Sequence, residues 1–288
     1  MERRSRSYLQ LIKPGITLSN TLTGIAGFLL AASIIPFSLS AFIAATIGIA
    51  TIIASACVVN NIIDRDIDKR MKRTAKRDVA SGKISIGKAI LFAILLGFIG
   101  FGAVFIWTNL LTFFLGVIAY VWYVVIYGVA KRTTVWSTLI GAVPGALPPV
   151  AGYTALTGTL DAATAILFLM MLLWQMAHFY AIAVFRKDDY ASAKLPVWSV
   201  VYGLKSTKRQ ILIFAVAYGL SSLLLSVYGY AGTVYLTLSI LIAVYWVYRG
   251  ISLYNVLDDV KWSRKMFGAS LLVMLSMCTL IAVGGYLP

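Results

Sequence analysis

Charge is scarce in this sequence, and negative charge scarcer still. Only 12% of its 288 residues are charged, ten of them acidic, and mean hydropathy is +0.89. A soluble domain carries about 25% charge. A chain of this length cannot bury a 60% hydrophobic composition under a polar surface, because surface grows too fast relative to volume. An ordinary water-soluble domain is therefore excluded. The two cysteines, Cys57 and Cys278, stand apart in apolar runs without a CxxC or Cys/His grouping, which excludes a disulfide framework and a zinc site. Histidine occurs once, as His178.

What is there in quantity is uncharged length. A helix crossing a bilayer needs about 20 apolar residues. Residues 14–63 carry no charge and break near Ser33–Ser38, and residues 89–130 break near Trp107–Asn109, which predicts two spans from each. Residues 133–160 and 162–185 predict one span each, residues 210–248 two more with a break at Tyr228–Gly232, and residues 266–288 the last. The expected fold is an all-α polytopic membrane protein of nine transmembrane helices, with residues 1–288 forming a single domain.

Sorting the cations orients it. Segments 1–13, 64–88, 131–132, 186–209 and 249–265 hold 4, 9, 2, 6 and 4 Lys/Arg, which is all 25, whereas the opposite loops hold only Asp161. By the positive-inside rule the N-terminus is cytoplasmic and the C-terminus lies across the membrane. The net charge of +15 is then a topology signal rather than a nucleic-acid footprint, so no nucleic-acid partner is expected. The basic start, Arg3, Arg4, Arg6 and Lys13, runs into about 50 uncharged residues rather than a short cleavable h-region, so no signal cleavage is expected. The predicted location is the plasma membrane, with the active site toward the cytoplasm and segments 64–88 and 186–209 as its cap.

The acids cluster in those caps. If the second span continues past residue 63, Asn60, Asp64 and Asp68 stand at i, i+4 and i+8 on one face, drifting about 40° per step, while Asp66 turns away toward Arg65 or Arg70. An amide and two carboxylates on one stripe suit Mg²⁺, which takes oxygen ligands and shares them with substrate phosphates. Arg73 and Arg77 follow four apart, and their planar forks match phosphate oxygens. Lys131, just beyond the fourth span, reaches toward the same phosphate.

In the second cap, His178 and Asp189 are eleven apart, nearly one face of a continuous helix, with an axial gap of about 16 Å. Asp188 and Asp189 are candidates for a second Mg²⁺ opposite the first stripe, so that two ions grip a departing diphosphate. A polar group inside a span is costly enough to be a functional suspect, and neutral imidazole is a good iron ligand.

Asn60, Asp64 and Asp68 with Arg73-Thr74 and Arg77 resemble the first aspartate-rich motif of the UbiA-type intramembrane prenyltransferase superfamily. The resemblance extends through Lys13-Pro14, Asn20, Lys131-Arg132-Thr133 and Gly141–Pro149. The superfamily implies nine helices around a central lipid-open cavity, capped by two Asp-rich loops. The second motif, Trp174–Phe179 with Ala181–Tyr190 and Leu195-Pro196, resembles the branch that farnesylates protoheme IX; Ala177 stands where that branch usually has proline before the histidine, and Asp78 where proline commonly follows Arg77.

What the resemblance implies is Mg²⁺-dependent transfer of farnesyl from farnesyl diphosphate to a vinyl group of heme B, with addition of water. Asn60, Asp64, Asp68, Asp188 and Asp189 would be catalytic and hold the metal; Arg73, Arg77, Lys131 and Asn20 would bind the diphosphate substrate; and His178, Arg186 and Lys187 would contact heme, the histidine at iron and the cations at a propionate. Heme-handling partners, a heme A synthase or terminal oxidase assembly proteins, follow from the same resemblance. Within the superfamily the alternative acceptor is a quinone precursor or another lipid. An ion-coupled transporter is disfavoured because the acids sit at helix ends rather than at mid-membrane, and because the span count is odd.

Overall fold

The computed structural model describes the backbone of residues 2–288 and side chains from residue 7 onward; the side chains of Arg3, Arg4 and Arg6 in the basic N-terminal segment lie outside the described residues. Among the described residues it is helical without strands, and nine helices are long and apolar enough to span a membrane: Pro14–Ala32, Leu39–Ile63, Ile86–Trp107, Leu110–Thr133, Ser137–Thr157, Ala162–Phe185, Gly203–Val227, Thr233–Ser252 and Asp259–Gly284. Short helices Glu2–Leu11, Arg65–Arg70, Lys187–Ser192 and Trp198–Val201 complete it.

Hydropathy located every span, and the ends differ where charge and helix overlap. The fourth span continues past Tyr127 to Thr133, so Lys131 and Arg132 sit on its last turn rather than in a connecting loop. The seventh and ninth begin at Gly203 and Asp259, ahead of their apolar stretches. Long basic side chains such as Lys205 and Lys261 can continue helical hydrogen bonding while their heads leave the apolar zone.

Local chemistry sets the starts. The Asn109 amide oxygen accepts from Thr112 N at 3.0 Å, the Asp258 carboxylate from Lys261 N at 2.8 Å, and Asp161 forms a capping box with Thr164. Two spans are irregular: the fourth holds a π-helical segment at Trp122–Ile126, and the fifth is interrupted at Ala146 in its proline-rich stretch. Both irregularities fall beside the central cavity.

Alternate spans return the caps to one end of the bundle. Ile67 and Met71 from the first cap pack against Ala193, Leu195 and Val197 from the second, and Ser192 Oγ, which donates to Asp189 O at 2.8 Å, lies 3.4 Å from Arg70 O. Elsewhere the core is aromatic and aliphatic, with Trp246, Trp262, Tyr153 and Tyr235 fully buried, while the third span turns residues such as Phe98 and Ile94 outward.

The first and fifth spans touch backbone to backbone. A Cβ at Gly27 would stand 2.0 Å from Pro149 O, and one at Gly152 1.8 Å from Gly24 O. In lipid, where water does not drive helices together, such small-residue seams supply the packing. Gly152→Ala should therefore lower stability by about 1–3 kcal/mol or more, as overpacking does. A thermal melt in detergent checks this against Gly87→Ala, whose Cβ meets nothing within 4 Å and which should melt no lower than the parent.

Candidate active site

The spans enclose a cavity of about 740 Å³ that reaches from the two caps into the bundle. Exposed residues of the first and ninth spans, Ile16 (46%) and Leu271 (37%), are among its walls, so it also opens sideways to the apolar exterior.

Its cap end is charged. The second span ends at Asp64, yet Asp64 N donates to Asn60 O at 2.9 Å and Asp68 N to Asp64 O at 2.8 Å, which carries helical register across the break. Asn60, Asp64 and Asp68 consequently line the cavity together, as their spacing predicts. Each meets a cation. Lys13 Nζ donates to Asn60 Oδ1 at 2.6 Å, Lys131 is ion-paired with Asp64, and Arg77 Nη1 donates to both oxygens of Asp68 at 2.9 and 2.8 Å. Arg73 is also on the wall and has no ion pair among the described residues. Asn20 lines the cavity too, its amide nitrogen donating to Ile16 O at 2.8 Å.

Asp66 turns away from the cavity, but its partner is neither Arg65 nor Arg70. Arg132 binds both of its oxygens, at 2.8 and 2.9 Å, and that guanidinium holds the Asp66 carboxyl down to about 2. The pairing spans 66 residues and depends on the extra helical turn that ends the fourth span, so local spacing does not reveal it.

The second cap behaves differently from expectation. The helix breaks at Arg186 (φ −114°, ψ 15°), so His178 and Asp189 do not share one continuous helix. Arg186 and Tyr190 line the cavity; Lys187, Asp188 and Asp189 do not. Asp188 is exposed, and Asp189 lies 3.7 Å from Arg186.

The residues present fit a hard divalent ion in part. Among the described residues no three His, Cys, Asp or Glu side chains converge on one point. Asn60, Asp64 and Asp68 offer only oxygen, are largely buried, and are covered at present by internal cations. That set suits Mg²⁺ completed by water and phosphate oxygens.

Deeper in, the wall is aromatic. Tyr120, Tyr123 and Tyr127 descend the fourth span through its π-helical segment; the Tyr123 and Tyr127 rings stack at 5.6 Å, and Lys131 Nζ lies 5.3 Å from the Tyr127 centroid. Across from them His178 stacks on Trp174 at 4.7 Å and meets Phe267 at 4.8 Å. With 37 Phe, Tyr and Trp in the chain, composition alone could not single these out. The readable signal was Tyr120, Tyr123, Tyr127 and Lys131 at helical spacing on one face. Lys13 was likewise missed as a site residue. It has φ 50° just before Pro14, a left-handed conformation an L-residue adopts at a cost, and burial pushes its ammonium pKa down.

Comparison with known proteins adds a family. The model of the UbiA prenyltransferase family matches residues 20–274. A protein of Shigella sonnei named protoheme IX farnesyltransferase is 42% identical over 285 residues, 98% of this chain and 96% of its own. In fold, the chain is similar to digeranylgeranylglyceryl phosphate synthase (TM-score 0.78, 19% identity, 99% of both chains). It is also similar to a UbiA homolog from Archaeoglobus fulgidus bound to GPP and Mg²⁺ (TM-score 0.68, 16% identity, 96% of this chain and 99% of that one). With its nine spans, central cavity and Asn60-Asp64-Asp68 stripe, the chain belongs to the UbiA prenyltransferase family.

Proposed function

We propose that this prenyltransferase moves a farnesyl group from farnesyl diphosphate to a vinyl group of heme B, with addition of water, to give heme O and diphosphate. The observation that carries the reading is one cavity with two unlike ends: carboxylates and cations under the caps, and a lone histidine among aromatic rings farther in. The 42% identity to a protein named protoheme IX farnesyltransferase supports the acceptor, and the fold neighbour bound to GPP and Mg²⁺ supports the donor.

In this mechanism the C1–O bond of the allylic diphosphate breaks and its electron pair leaves with the diphosphate. Arg73, together with Arg77 and Lys131 once they turn from Asp68 and Asp64, takes that charge in a poorly solvated site. Mg²⁺ held by Asn60, Asp64 and Asp68, with Asp188 and Asp189 assigned to a second ion, would neutralise the same oxygens. The latter assignment rests on sequence pattern; their neighbour Tyr190 lines the cavity. Tyrosine faces stabilise the allylic cation. The vinyl π electrons then form the new C–C bond to C1, and water adds to the resulting carbocation and gives up a proton. Until then the apolar wall excludes stray water. His178 contacts heme iron, Arg186, on the same cavity wall, serves a propionate, and Asn20 helps seat the farnesyl diphosphate. The whole chain acts as one unit, with its N-terminus and caps on the cytoplasmic side of the plasma membrane.

Membranes containing the protein, incubated with heme B and farnesyl diphosphate, should yield a product heavier by farnesyl plus hydroxyl. Prenylation of a quinone precursor with heme left unchanged would replace this reading with the alternative. Asp64→Asn and Asp68→Asn should each slow turnover on the order of 100-fold or more, measured by diphosphate release. Heme titration followed at the Soret band should weaken in His178→Ala and remain unchanged in Asp64→Asn.

A further inference from the structure

The ninth span brings to the aromatic end of the cavity a polar group that the reaction above does not use. Ser270 is fully buried, and its Oγ lies 2.7 Å from His178 Nδ1 and 2.6 Å from the Phe267 carbonyl oxygen. A hydroxyl has one proton. Both short contacts are hydrogen bonds in only one assignment: the Ser270 hydroxyl donates to Phe267 O, which can only accept, and the imidazole Nδ1–H donates to Ser270 Oγ. A neutral imidazole carries one N–H. Proton on Nδ1 leaves the lone pair on Nε2.

Nε2 makes no hydrogen bond with any described residue and is not among the sealed, unpartnered polar atoms, and His178 lines the cavity. The ring is also held against rotation. Trp174 stacks on it, and the indole Nε1–H donates to Ser270 O at 2.8 Å, tying both partners of the imidazole to the same turn of the ninth span. In water a free histidine side chain favours the opposite tautomer, with the proton on Nε2. A buried hydroxyl already committed to a carbonyl reverses that preference.

We propose that Ser270 is a positioning residue for the acceptor. It fixes His178 as the Nδ1–H tautomer, so that Nε2 offers an unprotonated lone pair to the iron of a metallotetrapyrrole. This inference rests on the heme reading above and names the group that enforces it. Outer partners of a metal-binding histidine set its tautomer and are worth about 10–100-fold in affinity.

His178 is the only histidine, so protein labelled with ¹⁵N-histidine gives the signal of one imidazole. In the unliganded protein in detergent, nitrogen NMR should find the proton on Nδ1. In Ser270→Ala it should move predominantly to Nε2, and heme B affinity should fall about 10–100-fold. A proton on Nε2 in the unmodified protein overturns the inference without requiring any variant to fold. Unchanged heme affinity in a folded Ser270→Ala overturns it as well. If Nδ1 carries the proton but heme-loaded protein shows no histidine–iron bond, the placement of heme iron at His178 fails instead, and the tautomer assignment stands.

Discussion

A carboxylate taken out of water costs several kcal/mol unless a cation accompanies it, and the cap end of this protein is organised around that constraint. The Asp68 side chain is 2% exposed and is gripped by Arg77, while Asp64 at 13% is gripped by Lys131. These partners come from different parts of the chain: Arg77 from the loop after the second span, and Lys131 from the last turn of the fourth. Charge compensation thus also holds the cap over the cavity. Because the Asp68 and Asp64 carboxylates are largely shielded from solvent, their pairing is screened less by salt than that of Asp66 with Arg132, whose carboxylate partner is 54% exposed.

The same arrangement leaves the site poised for exchange. Carboxylates suit a divalent ion and guanidinium suits phosphate, yet here each anion is satisfied by a cation of the chain itself. A metal-bound diphosphate offers both halves a better-matched partner. Arg73, already on the wall and without an ion pair among the described residues, needs no exchange. At the far end His178 is held through Nδ1 by Ser270, while its Nε2 makes no hydrogen bond with any described residue. The proposed function assigns an anion to one end of this cavity and an apolar, metal-bearing ring to the other.

The spans were legible because lipid imposes a length and a composition, and the Asn60-Asp64-Asp68 stripe because helical register survives the break at Asp64. Two things were not. Whether the helix runs on through Arg186 is decided by one residue's backbone angles, and a polar stretch does not encode them; the placement of Asp188 and Asp189 away from the wall follows from that turn. Pairings such as Lys131–Asp64 and Lys13–Asn60 join residues distant in sequence, and only the packing of the first, second and fourth spans brings them together. Ser270 is the limiting case. As one of several small hydroxyls in its span, beside Ser263, Ser276 and Thr279, it carries no pattern, and its meaning comes entirely from lying beside the one histidine.

The central claim is that Asp64 and Asp68 face a diphosphate site and exchange their internal cations for it. A structure of the protein with Mg²⁺ and a non-hydrolysable farnesyl diphosphate analogue tests it most directly. The account predicts metal on both carboxylates, with Lys131 and Arg77 turned to phosphate oxygens. Both ion pairs intact, with the diphosphate bound elsewhere, would contradict it.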